Sequence, residues 1–439
     1  DVPIKVIQLL LLANSLFSKV FTHQWLVEES INTFPNFLEN SFHKKGIYYQ
    51  SIDRGSIGTW APTFDHSIPL KDILCKMGAK ATFTPGDCMQ IDPTGINRFS
   101  VTFDMVGTLR ASYYLLGALL GRYGYAELAL PGGCVIGPRP IDQHIKGMRA
   151  LGAEIVLENG IVKATAKKLK GAEVYFDVVS VGATINVMLA AVLAEGQTTL
   201  VNAAKEPHVV DVANFLNMMG GRVKGAGTDI IRISGVNKLH GCSYAIIPDQ
   251  IEAGTFMVAA AATGGDVIIK NIIPTHLEAI SAKLMESGAT VIEGDDGREF
   301  YIQVIGNDRP RAINIKTLPY PGFPTDLQQP MMAYLSTAKG NSIIVENIFE
   351  ERFNHVGELI RMGAVIALSG RTAMIEGVKQ LTGAPLYATD LRAGAALIVA
   401  ALSARGVSDI HNIEFIDRGY EHIAKKLSAL GAQIKRCTE

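Results

Sequence analysis

A cysteine in an unusual setting is the residue of this chain that points most directly to chemistry. Cys134 follows Gly132 and Gly133, and two prolines and Arg139 come shortly after it. Glycine and proline at this density are typical of a surface loop, whereas a structural cysteine normally lies in an apolar element. An arginine five residues away can stabilise a thiolate and also bind an anion. The pattern indicates a reactive thiol at an anion site; the alternative is a free cysteine in a surface turn.

The composition around this loop is that of a well-packed globular protein. Of 439 residues, 48% are hydrophobic and 19% are charged, and the net charge is −1. Such a length exceeds what one hydrophobic core serves, so we expect two domains. The charge does not indicate binding to nucleic acid or to an acidic membrane surface. The five cysteines are scattered without metal-ligand spacing, which favours a reducing compartment and predicts neither a disulfide framework nor a zinc site.

A helix-like segment that ends in a Gly-Ala or Gly-Gly step recurs six times. The steps are 68 to 75 residues apart, and each passes into a short β-prone run. Glycine at such a step is the left-handed residue that ends a helix and starts the next strand. An asparagine that follows a strand-like run precedes four of the steps by 16 to 19 residues. The glycines are Gly78, Gly152, Gly220, Gly288, Gly363 and Gly431, and the asparagines are Asn202, Asn271, Asn347 and Asn412.

The repeated units predict an α/β protein of two domains. Solenoid repeats are usually shorter, so six larger units divide more naturally into two domains of three. We expect a first domain over residues 67–247 and a second over 248–439, while residues 1–66 stay unassigned. Segments 183–194, 254–262 and 393–403 are small and apolar nearly all round, which predicts helices buried inside the domains. A ligand is expected in a cleft between such domains.

The cysteine loop and several further motifs together resemble the UDP-N-acetylglucosamine enolpyruvyl transferases. The resemblance covers about residues 68–439 and implies two inside-out α/β barrels, built from six βαβαββ-type units with three in each domain. It implies transfer of the enolpyruvyl group of phosphoenolpyruvate to the 3′-hydroxyl of UDP-N-acetylglucosamine, with release of phosphate, at the start of peptidoglycan synthesis. The matching segments are 109–112, 130–144, 180–184, 205–207, 248–256, 323–326, 351–353, 389–393 and 416–420.

The resemblance also assigns catalytic roles. Cys134 would deliver a proton to phosphoenolpyruvate, since cations bring a thiol pKa towards neutrality, and its thiolate would make the enzyme a fosfomycin target. Asp326 would be the base, or the group that orients the attacking hydroxyl; without the surrounding motif, an aspartate after Pro-Thr is typical of a turn or a helix cap. Guanidinium groups bind carboxylate and phosphate in a bidentate manner. The implied phosphoenolpyruvate-binding residues are Arg110, Arg139, Arg352, Arg392 and Arg418.

The sugar nucleotide is assigned mainly to the first half of the chain. The segment around Ser180 is expected at a helix N-terminus, where backbone amides favour a diphosphate. His144 has two open interpretations, a hydrogen-bonded structural histidine or a functional one. The implied nucleotide-binding residues are Arg110, Arg139, Pro140, Ile141, Asp142, Gln143, Ser180, Val181, Gly182, Asp326 and Ile348.

One departure from the family pattern leaves alternatives open. The family has a Gly-Ala-Lys-Asn segment whose lysine contacts phosphoenolpyruvate, whereas here Gly78-Ala79-Lys80 continues into Ala81. A cation at a transferring phosphate is worth about 3 kcal/mol of barrier. The first hypothesis is an active transferase. The alternatives are a catalytically impaired homologue that binds UDP-N-acetylglucosamine in a regulatory role, and a shikimate-pathway enolpyruvyl transferase, which the cysteine loop disfavours.

The remaining expectations concern partners and location. No metal and no other cofactor is expected, because no hydride moves and the chain has neither a dinucleotide-binding glycine motif nor a Walker loop. The expected partners are the two small-molecule substrates, without nucleic acid or membrane. The cytoplasm is the expected location, since no persuasive signal peptide or membrane span is found.

Overall fold

The structure is a computed structural model that describes residues 67–84, 88–103, 105, 110–130 and 140–437, without the side chains of residues 67–69, 110 and 111. Cys134, Arg139 and residues 1–66 lie outside this part of the chain. The described residues form two compact units, one that ends at Ile247 and one that begins at Pro248. Each unit is a mixture of helices and sheets, as the sequence predicts, and each is described by itself.

The first unit has five helices among its described residues, and a short 3-10 helix over Arg110–Tyr113 precedes the second. The helices are α1 Ser67–Lys76, α2 Tyr114–Tyr123, α3 Asp142–Ala150, α4 Val181–Ala191 and α5 Pro207–Met218. The strands are β1 Lys80–Thr84, β2 Cys88–Asp92, β3 Ser100–Val101, β4 Tyr125–Ala129, β5 Glu154–Glu158, β6 Ile161–Thr165, β7 Glu173–Tyr175, β8 Gln197–Val201, β9 Val223–Lys224 and β10 Ile230–Ser234.

The described part of the second unit adds seven helices and nine strands, with 3-10 helices over Pro274–His276 and Thr325–Leu327. The helices are α6 Gln250–Thr263, α7 Glu278–Glu286, α8 Gln328–Leu335, α9 Val356–Arg361, α10 Leu391–Ser403, α11 Glu414–Asp417 and α12 Ile423–Ala429. The strands are β11 Asp266–Lys270, β12 Thr290–Asp295, β13 Phe300–Ile305, β14 Asn314–Lys316, β15 Asn341–Val345, β16 Val365–Ser369, β17 Thr372–Glu376, β18 Pro385–Tyr387 and β19 Asp409–His411.

The sheets share one strand arrangement, which is complete in three of them and partial in the others. Three four-stranded sheets have the orders β3-β4-β6-β5, β7-β8-β10-β9 and β14-β15-β17-β16. In each, the first two strands are parallel and the other neighbours are antiparallel. The sheet β11-β13-β12 has the antiparallel strands alone, β1-β2 is one antiparallel hairpin, and β18-β19 is one parallel pair.

The six glycine steps end helices in the same way. All six glycines have φ between 89° and 106°. At each, the amide of the next residue donates to a carbonyl five residues back, as in Ala79 to Leu74 at 2.9 Å and Ala432 to Leu427 at 3.0 Å. This is the Schellman motif, which satisfies the last carbonyl groups of a helix. A strand follows the first five steps, whereas residues 432–437 after Gly431 form no strand.

Three of the four marker asparagines tie the ends of parallel strands together. Asn202, Asn347 and Asn412 each donate a side-chain N–H to the backbone carbonyl of the residue that follows the neighbouring parallel strand. The side chain therefore continues the pairing where the backbone ladder ends. The acceptors are the carbonyl oxygens of Phe176, Thr317 and Ala388, at 2.8, 3.0 and 3.2 Å respectively.

Small residues let the central helices pack closely. The three predicted apolar helices correspond to α4, α6 and α10, and each is buried along nearly its whole length. In the first unit α4 crosses α2 at Gly117, whose amide donates to the buried Asn186 Oδ1 at 2.6 Å. A Cβ at this glycine would lie 2.0 Å from the Asn186 carbonyl oxygen. Only glycine fits this crossing.

Gly117→Ala therefore tests the packing of the first unit. We expect it to lower the free energy of unfolding by about 3 kcal/mol, because backbone rather than a mobile side chain blocks the new methyl group. Gly357→Ala is the matched control: this glycine lies in α9 with no atom within 4 Å of the added Cβ, so alanine should stabilise by up to about 1 kcal/mol. Urea unfolding monitored by circular dichroism measures both, and equal effects of the two substitutions would contradict the packing argument.

Candidate active site

An aspartate in the second unit receives two arginines from distant parts of the chain. Asp326 lies in the 3-10 helix that leads into α8, and its side chain is 32% exposed. Arg352 Nη2 lies 2.5 Å from its Oδ1, and Arg392 Nη2 lies 3.1 Å from its Oδ2. Both arginine side chains are buried, with 3% and 9% exposed. The three side chains carry a net charge of +1, which suits a cluster that receives an anion.

Arg392 lies where a helix alone would not favour a cation. It occupies the first turn of α10, at the positive end of the helix dipole. Asp390 caps this end, since its Oδ1 accepts hydrogen bonds from the amides of Arg392 at 2.9 Å and Ala393 at 3.0 Å. The Asp390 cap and the Asp326 carboxylate offset the unfavourable dipole, so the arginine position depends on acidic groups around it.

A chain of hydroxyl groups supports the same guanidinium. Arg392 Nη1 donates to Tyr420 Oη at 3.0 Å, and that hydroxyl is 2.8 Å from Thr255 Oγ1 on α6. The guanidinium also lies 5.5 Å from the centre of the Tyr420 ring, within range of a cation–π contact. Tyr420 is fully buried. Asp326 on one side and Tyr420 on the other therefore fix the position of the Arg392 side chain.

These contacts determine the charge state of the aspartate. Burial by itself raises the pKa of Asp326, but the guanidinium groups of Arg392 and Arg352 outweigh it and hold that pKa well below its usual range. The carboxylate is consequently a hydrogen-bond acceptor for a hydroxyl.

A second layer of buried polar groups lies behind Arg352. Gln329 and His355 are both fully buried. Gln329 Nε2 lies 3.3 Å from the Arg352 carbonyl oxygen and 3.4 Å from His355 Nδ1. Burial, with a smaller contribution from Arg352, lowers the pKa of His355 to about 4 against the opposing charge of Asp390. Sequence reasoning missed both residues, although two glutamines at the start of an apolar helix were a signal.

The loop after β15 brings Ile348 close to the aspartate segment. The amide of Ile348 donates to Glu346 Oε1 at 2.8 Å, and Thr325 Oγ1 donates to Glu346 Oε2 at 2.9 Å. Ile348 is therefore a direct partner of Glu346, and Asp326 adjoins a second partner, Thr325. Glu346 was also missed in the sequence, where it is simply the acidic residue that follows an apolar strand.

Arg418 stands apart from this cluster. It is exposed, and its guanidinium lies 5.5 Å from the ring centre of Phe415. The structure joins it to Asp326 by no hydrogen bond or ion pair among the described residues. Of the five predicted anion-binding arginines, two are brought together here; Arg110 has only its backbone described, in a 3-10 helix, and Arg139 lies outside the described residues with Cys134. Their predicted roles stay predictions.

Seven of the predicted nucleotide residues of the first unit lie at two helix starts. Pro140 and Ile141 precede α3, Asp142 and Gln143 begin it, and Ser180, Val181 and Gly182 lie at the start of α4. Hydrogen bonds join α3 to the segment that leads into α4, since Gln143 Nε2 donates to Asp177 Oδ2 at 3.1 Å and the Asp177 amide donates to Gln143 Oε1 at 3.0 Å.

Two of these side chains already have internal partners. Gln143 is buried and ties the segment before α4 to α3. Ser180 caps α4, because its hydroxyl accepts the Ala183 amide at 3.2 Å. The predicted helix N-terminus at Ser180 is confirmed. What the α4 end offers a ligand is therefore mainly backbone amides and the helix dipole.

His144 is a buried structural histidine in this arrangement. Its Nδ1 lies 3.0 Å from Asn186 Nδ2, and its ring lies against Gly182, where an added Cβ would be 3.0 Å from Nε2. Burial lowers the pKa of His144 to about 4, against the weaker opposing charge of Asp142. The position favours the first of the two interpretations open from the sequence.

Two further properties concern ions and membranes. Across the part of the chain that the structure describes, no three histidine, cysteine, aspartate or glutamate side chains are grouped so that they could hold a metal ion. Within the same residues, no helix has both the length and the apolar character that crossing a bilayer requires.

Comparison with known proteins gives a consistent result. The profile of the EPSP synthase (3-phosphoshikimate 1-carboxyvinyltransferase) family matches residues 69–427. UDP-N-acetylglucosamine 1-carboxyvinyltransferase 3 of Caldanaerobacter subterraneus subsp. tengcongensis is 58% identical over 84% of this chain and 88% of its own length. UDP-N-acetylglucosamine 1-carboxyvinyltransferase 2 of Bacillus subtilis is 54% identical over 84% of this chain and 85% of its own length.

Solved structures share the fold. The enolpyruvyl transferase NikO from Streptomyces tendae superposes with a TM-score of 0.75 at 26% identity, over 85% of this chain and 88% of that one. An EPSP synthase from Acinetobacter baumannii gives a TM-score of 0.65 at 21% identity, over 84% and 88% of the two chains. At 21% identity, the similarity to the EPSP synthase structure supports a shared fold only.

Asp326→Asn tests the arginine cluster without any substrate. The substitution keeps the shape but leaves two buried guanidinium groups facing each other, so we expect it to lower the free energy of unfolding by roughly 1–3 kcal/mol. Inorganic phosphate should raise the thermal midpoint of the variant more than that of the wild type, because the net charge of the cluster rises by one. Asp308→Asn, at an exposed aspartate, is the control. A variant as stable as the wild type and indifferent to phosphate would contradict the cluster.

The two buried histidines predict a pH-dependent stability. Their pKa of about 4 in the folded chain lies below the ordinary value of about 6.5. The unfolded chain therefore binds more protons between these values, and stability falls as pH drops from about 6.5 to 4, by up to roughly 3 kcal/mol for each histidine.

Urea unfolding of His144→Gln and His355→Gln at pH 7.5 and pH 5 measures this dependence. Each variant should lose less stability than the wild type on acidification. His240→Gln, at an exposed histidine, serves as the control. If both buried-site variants lose as much stability between pH 7.5 and pH 5 as the wild type does, these imidazoles are not the source of the pH dependence.

Proposed function

Because the chain belongs to the EPSP synthase (3-phosphoshikimate 1-carboxyvinyltransferase) family, we propose that it is an enolpyruvyl transferase that acts on UDP-N-acetylglucosamine. It transfers the enolpyruvyl group of phosphoenolpyruvate to the 3′-hydroxyl of the sugar nucleotide and releases phosphate, in peptidoglycan synthesis. The observation that carries this function is the identity of 58% and 54% to two proteins named UDP-N-acetylglucosamine 1-carboxyvinyltransferase, over 84% of the chain. The proposed location is the cytoplasm, with which a soluble sugar-nucleotide substrate agrees.

The finer architecture follows the same assignment. We infer that residues 67–247 and 248–439 are the two domains of an inside-out barrel fold, each with three repeated units. Two observations support this. The repeated helix ends recur through both units, and α4, α6 and α10 are buried in the interiors.

The reaction needs one proton removed and one delivered. As the 3′-oxygen forms its bond to C2 of phosphoenolpyruvate, its proton goes to Asp326, which already accepts hydrogen bonds from two guanidinium groups. Cys134 supplies the proton that C3 takes up. The Cys134 thiolate then takes a proton back from C3 while the C2–O bond to phosphate breaks and the double bond forms again. The leaving phosphate takes the proton held by Asp326, so the products are the enolpyruvyl ether and inorganic phosphate.

The arginines distribute the substrate charge. Arg352 and Arg392 are assigned to the carboxylate and phosphate of phosphoenolpyruvate, together with Arg110, Arg139 and Arg418. Anion binding by the first two competes with their hold on Asp326, so the carboxylate becomes a stronger base when phosphoenolpyruvate is present. This coupling gives a reason for placing the base between two guanidinium groups.

The sugar nucleotide is assigned to both units. In the first, the start of α4 offers backbone amides to the diphosphate, with Ser180, Val181 and Gly182. Pro140, Ile141, Asp142 and Gln143, with Arg110 and Arg139, are assigned to the rest of the nucleotide. In the second unit, Ile348 contacts the nucleotide and Asp326 the attacking hydroxyl.

The ion pairs of Asp326 with Arg352 and Arg392 argue against a homologue that only binds. A chain that had lost catalysis would have no need to keep a buried arginine, Arg352, paired with a carboxylate at 2.5 Å, because such pairs carry a desolvation penalty. A shikimate-pathway activity is likewise not favoured. The described likeness to an EPSP synthase structure is at 21% identity, far below that to the UDP-N-acetylglucosamine enzymes.

Phosphate release from phosphoenolpyruvate tests the function. We expect release that requires UDP-N-acetylglucosamine and that falls at least about 100-fold in Cys134→Ala, since a general acid contributes about 10²–10⁴-fold. Cys75→Ala removes an exposed free cysteine and should stay within twofold of the wild type. No release from the wild type, with UDP-N-acetylglucosamine still bound in calorimetry, would leave a binding protein instead.

A further inference from the structure

Two loops of the second unit supply the residues around Asp326, and they leave neighbouring parallel strands. β14 and β15 pair in parallel, with Lys316 opposite Val345 at their ends. The loop after β14 leads to the 3-10 helix that holds Asp326, whereas the loop after β15 carries Ile348 and Arg352. The relative position of the two loops therefore decides how the aspartate faces the nucleotide contact.

One carboxyl group lies between these loops. Glu346 is the first residue after β15 and is fully buried. Its Oε1 accepts hydrogen bonds from Thr317 Oγ1 at 2.8 Å, from the Ile348 amide at 2.8 Å and from the Phe349 amide at 3.2 Å. Its Oε2 accepts from Thr325 Oγ1 at 2.9 Å. Two donors come from each loop.

The energetics of a buried carboxyl group indicate that Glu346 positions the groups that donate to it. Burial of a carboxylate is unfavourable unless hydrogen bonds replace its hydration. Here all four donors in the described residues are neutral hydroxyl or amide groups, and none is a cation. Four directed bonds from one rigid group define the geometry of the donors closely, whereas apolar packing of the same volume would not.

We propose that Glu346 is a positioning residue of the transferase. Its Oε2 binds Thr325, which adjoins Asp326, and its Oε1 binds the Ile348 amide. Glu346 thereby fixes the distance between Asp326 and Ile348. This inference rests on the proposed function, in which Asp326 accepts the proton of the attacking hydroxyl and Ile348 contacts the nucleotide. A displacement of about 1 Å at such a site can lower the rate about 100-fold.

Thr325→Val isolates this role better than removal of Glu346, which could prevent folding. Valine keeps the shape of threonine and deletes only the donor to Oε2. We expect kcat for phosphate release to fall at least about tenfold, while the KM for phosphoenolpyruvate stays within about twofold because the arginine cluster is untouched. Thr325→Ser keeps the hydroxyl and should retain most of the wild-type kcat.

Ser342→Ala is the matched control for lost stability. Ser342 is a fully buried residue of β15 whose hydroxyl accepts the Ile313 amide at 3.2 Å, and it makes no described contact with Glu346. Its loss should lower the thermal midpoint, yet leave kcat within about twofold. Equal losses of kcat in Thr325→Val and Ser342→Ala would show general destabilisation and overturn the inference.

The remaining outcomes separate the two proposals. An active wild type with Thr325→Val near the wild-type kcat, or with Thr325→Ser as poor as Thr325→Val, overturns the positioning role and leaves the transferase function standing. An inactive wild type overturns the function, and the positioning role falls with it.

Discussion

A helix surrounded by protein on every side cannot leave its first amides to water, and this constraint shapes much of the molecule. The N-terminal amides of such a helix need acceptors from the chain itself. Ser180, Asp249 and Asp390 supply them for α4, α6 and α10. Candidate site residues follow two of these caps: Val181 and Gly182 follow Ser180, and Arg392 lies two residues after Asp390.

The second unit shows how a buried helix end can carry charge. Arg392 lies at the positive end of α10 and is buried, both of which disfavour a cation. Asp390, Asp326 and Tyr420 surround it, so the arrangement is stable only as a whole. Under the proposed function, an anionic substrate competes with Asp326 for this guanidinium group, and substrate binding thereby changes the basicity of the carboxylate.

Repetition of one supersecondary plan leaves room for such differences. The sheets β7-β8-β10-β9 and β14-β15-β17-β16 have the same order, and in both an asparagine joins the ends of the parallel strands. In the second of these sheets Glu346 lies at the same end, and it accepts hydrogen bonds from the loops after β14 and β15. The shared plan supplies the frame, and single polar residues at strand ends distinguish the units.

The sequence by itself determined what local rules and motifs can express. The helix ends at the six glycines follow from backbone conformation, the burial of α4, α6 and α10 follows from their composition, and the family follows from motif residues such as Asp326 and Arg392. The tertiary structure alone decided how distant side chains pair. Four features depend on residues far away in the sequence. They are the depressed pKa of Asp326, the hydrogen bonds of Gln143 with Asp177, the separation of Arg418 from the cluster and the link that Glu346 makes between two loops. Hydrogen-bond energies fall off within a few ångströms and charge–charge interactions are screened over about 10 Å, and only folding brings such groups within those distances.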